Sequence, residues 1–515
     1  MQQPARRLPL LAALRQRYPV RYDAVALAVY IAFVFSWGLG VAPMGRDFAN
    51  LAADPGELPF LAGRLIGAMQ IVWGTWTPGY QLVNMALLYA CMLAVYALVN
   101  YSLRGPLWLG ALAAALFMAN PVHTEAVLNV TGAVDILPAL LALTALALYA
   151  AHVFEPLRWR LFLGLAVFAV GAFAYPALAF LWLVILLYER LVPVETNRHW
   201  GRAAPFAVVG LAGLFWNLEA VLAHSFDLAA MAAPAYLVFY CIGFLPSSAQ
   251  DFHASPLLAW TAGAAAVAVF LLIYRKAWRP TILFAVLGML AFRLYHGERP
   301  IDPVHLVGGG QLLVPAGLFA LGLVALFYRA MDHPKWRVII VWSTTTIAIV
   351  FFVLQIRVNV LWREAGNDVK TFQEAAAAHE RARSAEAGVL GVLPAWQYMN
   401  GAPVMLTESI AYDTLFSEAI PAEALLPLHH PGSEAAVTVE EWEPEGGLVR
   451  VEGVDPRILA PWPYALATEG GAVETNGIRV AVERLEANRA DYRIEPVTGA
   501  LPIDTLPVRA AEAPE

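Results

Sequence analysis

Residues 79–100, GYQLVNMALLYACMLAVYALVN, carry no charged side chain over a stretch long enough to cross a bilayer. About 20 mostly apolar residues in a helix span the roughly 30 Å of hydrocarbon. Residues 135–153, DILPALLALTALALYAAHV, repeat the pattern with one carboxylate at their start. Working outward, runs of this kind fill 23–356. The expected spans are 23–42, 79–100, 107–120, 135–153, 160–174, 176–192, 204–223, 257–274, 280–295, 312–329 and 336–356. Composition agrees: 60% of the 515 residues are apolar, 14% are charged and the mean hydropathy is +0.60. Soluble domains run near 45–50% and about 25%. A water-soluble chain of this size would have too few charges to cover such a core.

The 33 basic against 40 acidic residues give −7, which offers a nucleic-acid partner no electrostatic support. Cys91 and Cys241 both lie in apolar stretches, so neither a disulfide framework nor a cysteine zinc site follows. The first apolar run, from Asp23, has no small-residue cleavage site after it and reads as a span, not a cleaved leader.

Lys and Arg in short loops set orientation. Arg6, Arg7, Arg15, Arg17 and Arg21 precede the first span and place the N-terminal segment, 1–22, in the cytoplasm. Arg104, then Arg158 and Arg160, Arg198 and Arg202, Arg275, Lys276 and Arg279, and Lys335 and Arg337 mark every second loop thereafter. The alternation holds only if 231–256, broken by Pro246, lies along the outer interface instead of crossing. Eleven crossings put the loop 43–78, the loops around 121–134 and 296–311, and everything after Arg357 on the outer face.

The expected fold is therefore an all-α polytopic membrane domain of about 11 transmembrane helices over 23–356. A soluble α/β to β-rich external domain follows over 357–505, then a disordered tail, 506–515. Within the external part, Asp368–Ala387 has no Gly or Pro and reads as a helix. Strands are expected at Val389–Leu393, Pro403–Leu406, Ala436–Trp442, Leu448–Val451, Ile478–Val482 and Tyr492–Ile494, separated by turns such as EPEGG and TEGG. No zinc spacing, P-loop or GxSxG occurs there.

The run Asn120-Pro-Val-His123-Thr-Glu125-Ala-Val127, followed by Gly132-Ala-Val-Asp135, resembles the signature of the GT-C glycosyltransferases related to protein O-mannosyltransferases, particularly those carrying tetratricopeptide repeats. Gly63-Arg64-Leu65 with WGTWTPGYQLVNMALLYA, the segments YLVFYCIGFLP and QLLVPAGLFALGL, and Arg357-Val-Asn359-Val-Leu-Trp362 extend the likeness over roughly residues 40–365. Departures fall on polar positions. Asn120 stands for a His, Ala133 for an Arg and Gln81 for a His; Ala174-Tyr175 stands for a Lys-Glu pair, and Gly310-Gln311-Leu312 for Glu-Arg-Tyr.

The resemblance implies transfer of a sugar from a polyprenyl-phosphate-linked donor to a protein or glycan acceptor on the outer, periplasmic face. It implies no cofactor and leaves the metal requirement open. Such transfer needs a carboxylate to take the acceptor's proton, donors or cations for the leaving phosphate, and a groove for the lipid. Asp47, just after the first span, is the expected base, with Asp54 and Glu57 as alternates; Asp47→Asn is then expected to abolish transfer with the fold intact. His123, Glu125 and Asp135 complete the candidate catalytic set. For substrate binding the candidates are Arg64, on an interfacial apolar helix, and Arg293, His296, Arg299 and His305 around the loop after the ninth span. No metal ligand set is expected; His429-His430 reads as surface, and Trp73, Trp76 and Tyr80 as an interface belt.

A competing reading keeps the scaffold and loses the catalysis, leaving an assembly subunit that binds partner subunits through its external domain. A transporter would need internal repeats, and none is found. The Ala-, Arg- and Gly-rich composition suggests a bacterial chain, hence the bacterial inner membrane.

Overall fold

The computed structural model describes residues 22–44, 47, 50–51, 58–120, 122–192, 199–223, 280–293, 309–330, 334–382 and the strands between 391 and 496. Its helices are α1 (Tyr22–Ser36), α2 (Phe60–Trp73), α3 (Thr77–Leu103), α4 (Trp108–Met118), α5 (His123–Leu128), α6 (Ala133–Phe154), α7 (Arg158–Ala174), α8 (Leu181–Leu191), α9 (Trp200–Trp216), α10 (Leu218–Ala223), α11 (Pro280–Arg293), α12 (Leu313–Ala330) and α13 (Pro334–Ala382). Single 3-10 turns at Pro176–Phe180 and Gly309–Leu312 lead into α8 and α12. Helical structure thus lies over every expected span but 257–274, which, like 231–256, falls outside the described residues.

Among the described residues, two helices, α3 and α6, are long and apolar enough to cross a membrane; α1, α2, α4 and most of α12 are apolar but shorter. Helices α3 and α6 pack along each other at the centre, α7 flanks α6, and α12 closes against α4. Residues recurring three and four apart build this core: Leu88, Cys91, Val95 and Leu98 on α3, Leu143, Leu146 and Tyr149 on α6. Small residues bring helices close where no hydrophobic drive separates protein from lipid. A Cβ on Gly213 of α9 would stand 2.9 Å from the Ala172 carbonyl of α7, and one on Gly317 of α12 would stand 2.9 Å from Leu143. The faces turned away from the core are apolar too: Val25, Val29 and Phe33 on α1, Phe162 and Val170 on α7, and Val208, Leu211 and Phe215 on α9 are exposed.

Helix α13 departs from expectation. The sequence predicts a span and a separate external helix; one 49-residue helix runs through the span and on to Ala382, and 383–387 lie outside the described residues. The joining residues, RVNVLWREAGN, contain no proline. Their one glycine, Gly366, is where a Cβ would come within 2.7 Å of Val41 and 3.1 Å of the Ala42 nitrogen. The glycine therefore serves close packing and does not end the helix. Phe351, Gln355, Asn359, Trp362, Ala365 and Val369 form one buried stripe along it.

Beyond Ala382, β5 (Ala436–Glu443), β6 (Gly446–Glu452), β9 (Arg489–Pro496), β8 (Ile478–Glu486) and β7 (Ala472–Thr475) form an antiparallel sheet in that order. Register shifts sit at Val439/Glu441 and Val482/Arg484. β1 (Gly391–Trp396) pairs in parallel with β4 (Leu425–His430), and β2 (Tyr398–Met399) pairs with β3 (Ala402–Pro403). The expected strand at Pro403–Leu406 is represented by β3 alone; 404–406 lie outside the described residues, as does the tail 506–515.

Candidate functional site

One end of the bundle gathers polar side chains around α5, all six of whose residues are buried. An amide or carboxylate held away from water must be hydrogen-bonded, and these side chains bond mostly to backbone groups of neighbouring segments. Asp47 is fully buried. Its Oδ1 accepts from the Thr131 N–H and hydroxyl, both at 2.7 Å, and its Oδ2 from the N–H groups of Val130 at 2.9 Å and Met44 at 3.3 Å. Thr131 in turn accepts from Asn50 Nδ2 at 2.9 Å. The segment after α1 is thus stapled to the turn between α5 and α6, and no Asp47 lone pair faces open space. Burial pushes the carboxyl up to about 6, against the four hydrogen bonds that pull it down.

The next layer comes from α3. Gln81 accepts from Gly40 N–H at 2.7 Å and donates to the carbonyls of Leu128 at 2.8 Å and Val41 at 3.3 Å. Asn84 donates to the carbonyls of Asn129 at 2.7 Å and Val127 at 3.4 Å. From α13, Gln355 donates to Thr124 Oγ1 at 2.7 Å and to Asn359 Oδ1 at 3.1 Å; Thr124 donates to Asn359 Oδ1 at 3.0 Å, and Asn359 donates to the Val34 carbonyl at 2.9 Å. Loops, α1, α3, α5 and α13 are tied together at one level.

His123 donates from Nε2 to the Phe117 carbonyl, with its ring 4.5 Å from that of Phe117. A carbonyl only accepts, so Nε2 carries the proton and Nδ1 holds a bare lone pair with no partner. Burial pulls the imidazole down to about 4, the Phe117 bond opposing. Glu125 is also buried and is engaged by its surroundings.

Asp135, in the first turn of α6, is half-buried and is the most accessible of the described candidate carboxylates. The turn Gly309–Leu312 lies against it: a Cβ on Gly310 would come within 2.5 Å of Asp135 Cβ and Cγ and 2.6 Å of Oδ2. Tyr175, between α7 and the next turn, is close enough for the Asp135 charge to act on its phenol. Burial first, and then that charge, hold the phenol well above its ordinary range, with the backbone at Ala62 opposing. Two of the departures noted in the sequence, at 174–175 and at 310, thus meet at Asp135.

Arg64 is exposed, off the buried stripe of α2, with its guanidinium 5.5 Å from the centre of the Phe60 ring. Trp73 and Trp76 pack at the α2–α3 corner, where Tyr80 donates to the Gly74 carbonyl at 2.7 Å. Arg293 is the last residue of α11. His296, Arg299, His305, Asp54 and Glu57 lie outside the described residues. His429 and His430 fall in β4. Among the described residues, no three metal-ligating side chains converge.

The structure therefore brings together Asp47, His123 and Glu125 in one cage, with Asp135 at its rim, and leaves Arg64 apart. Sequence reasoning passed over Asn50, Thr131, Asn84 and Gln355. Their signal was present: an uncharged amide inside an apolar run is costly unless another chain segment answers it. Comparison with protein-family models and with curated proteins gives no match.

Proposed function

We propose that this chain is an integral membrane glycosyltransferase of GT-C type that moves a sugar from a polyprenyl-phosphate-linked donor to a protein or glycan acceptor. The observation that carries this reading is the asymmetry of the bundle: a polar cage at one end of an otherwise apolar body, with a half-buried carboxylate at its rim. Exposed apolar faces on α1, α7 and α9 would be an aggregation liability in water and are ordinary against lipid. Loop charges then favour eleven crossings, an inner N-terminus, and both the cage and the C-terminal region on the periplasmic side of a bacterial inner membrane.

In this reading Asp135 is the better-placed base, because it is half-buried whereas Asp47 is fully buried. The acceptor oxygen bonds to the anomeric carbon, its proton passes to Asp135, and the bond to phosphate breaks with its electrons kept by the polyprenyl phosphate. Arg64 meets the headgroup at the surface, and the cage holds α5 and the start of α6 in place. The test is transfer from undecaprenyl-phosphate-mannose or -glucose by the reconstituted chain. Asp135→Asn should abolish transfer, and full activity in that variant removes the assignment.

One observation favours a second reading, a GT-C scaffold serving as an assembly subunit. The polar groups of the cage are largely occupied in holding the protein together. Copurification at fixed stoichiometry with other chains, without donor lipid, would support it.

A further inference from the structure

Among the described residues, Tyr175, like Asn100 and Trp182, is a buried polar group outside the cage. Tyr175 is 6% exposed, yet its hydroxyl has no hydrogen-bond partner. An orphaned hydroxyl of this kind is unfavourable and calls for an explanation. Three features surround it. The first turn of α2 is uncapped by any side chain, and the backbone at Ala62 is close enough to act on the phenol. Asp135 stands close enough to act on the phenol. The Gly310 backbone packs directly on Asp135, where a Cβ would meet the carboxylate. Ala62 shares one apolar cluster with Ala133 and Val134, which fixes the α2 terminus beside the start of α6.

The charges decide what such a place can hold. A phosphate would gain from the helix N-terminus but would face a carboxylate. A hydroxyl is both donor and acceptor, so it can take the Tyr175 and Ala62 hydrogens on its oxygen and give its own to Asp135. Resting on the transferase reading above, we propose that Tyr175, with Asp135 and the first turn of α2, forms the subsite that reads a hydroxyl of the transferred sugar, and that Tyr175 determines specificity for it. The phosphate then lies elsewhere, toward the surface.

The test uses the full chain in lipid nanodiscs and three probes: undecaprenyl phosphate, undecaprenyl-phosphate-mannose and undecaprenyl-phosphate-glucose, with binding followed by native mass spectrometry. The wild-type chain should hold at least one sugar-bearing lipid more tightly than the bare phosphate, by about tenfold, the worth of one hydrogen bond. Tyr175→Phe should erase that difference while binding the bare lipid as before. Because the hydroxyl makes no bond within the protein, Tyr175→Phe should also leave the melting temperature unchanged or raised, which a merely structural tyrosine bond would not do. Gly310→Ala, which crowds Asp135, should erase the sugar preference as well. A preference intact in Tyr175→Phe overturns the subsite and leaves the transferase reading standing. Equal wild-type binding of bare and sugar-bearing lipids overturns the subsite too. Wild-type protein that binds none of the three removes the transferase reading itself.

Discussion

Asp47→Asn separates two forces that act on one buried carboxylate. Burial destabilises its charge, four hydrogen bonds stabilise it, and burial wins, leaving the folded group near 6. An unfolded aspartate titrates near 3.9. The folded state therefore holds the proton more tightly than the unfolded chain, and stability linked to this group rises as pH falls from about 6 to about 4. Roughly two units correspond to about 3 kcal/mol, a large part of a typical folding free energy. Above pH 6 this contribution is absent. Asparagine cannot titrate, so the variant should lack the gain. The assay is thermal unfolding of both proteins in the same detergent between pH 7 and pH 4. The wild type should pull ahead of Asp47→Asn steadily on acidification. Parallel curves, or a gap that narrows, would refute the account of the enclosed carboxylate. The same experiment cautions against reading lost transfer in Asp47→Asn as proof of a base.

His123 carries the opposite sign: its folded value lies near 4 against about 6.5 unfolded. Its contribution is full above about 6.5 and is lost as pH falls toward 4, by up to about 3 kcal/mol. His123→Gln, which keeps a donor for the Phe117 carbonyl, should make the protein more acid-tolerant than wild type in the same melts. Gly132→Ala places a Cβ 1.8 Å from the Ala126 carbonyl oxygen, a backbone atom that cannot swing away. It should lower stability by about 3 kcal/mol or more, seen as loss of folded protein in detergent. In a variant without its native cysteines, Trp76→Cys should react with an impermeant maleimide from the periplasmic side, and Leu157→Cys only after permeabilisation. Labelling of both from one side would refute eleven crossings.

Much of the helical part was legible because long apolar runs have few alternatives. Helices α3 and α6 announce themselves by length and lack of charge, and Asp135 by its place at the head of one of them. The continuity of α13 was harder to read, since a composition change at Arg357 looks like a boundary while nothing in RVNVLWREAGN interrupts a helix. The site was legible only in part. His123, Glu125 and Asp135 are close in sequence, and Asp47 is expected near them. The hydrogen bonds that join Gln355 and Asn359 to Thr124 span more than 200 residues, and no local pattern carries that information. Tyr175 looked like a simple loss of charge. Its meaning depends on Gly310 and Ala62, distant in the chain, meeting around it.

The clasp that binds the loops to α3 and α13 is made of amides, hydroxyls and backbone groups, with the carboxylates of Asp47 and Glu125 sealed inside. Debye screening acts on solvent-exposed ions and has little to grip here. A protein facing a compartment whose salinity swings with the surroundings would keep this clasp shut from dilute to concentrated medium. Its loops would answer to acidity long before they answered to ionic strength.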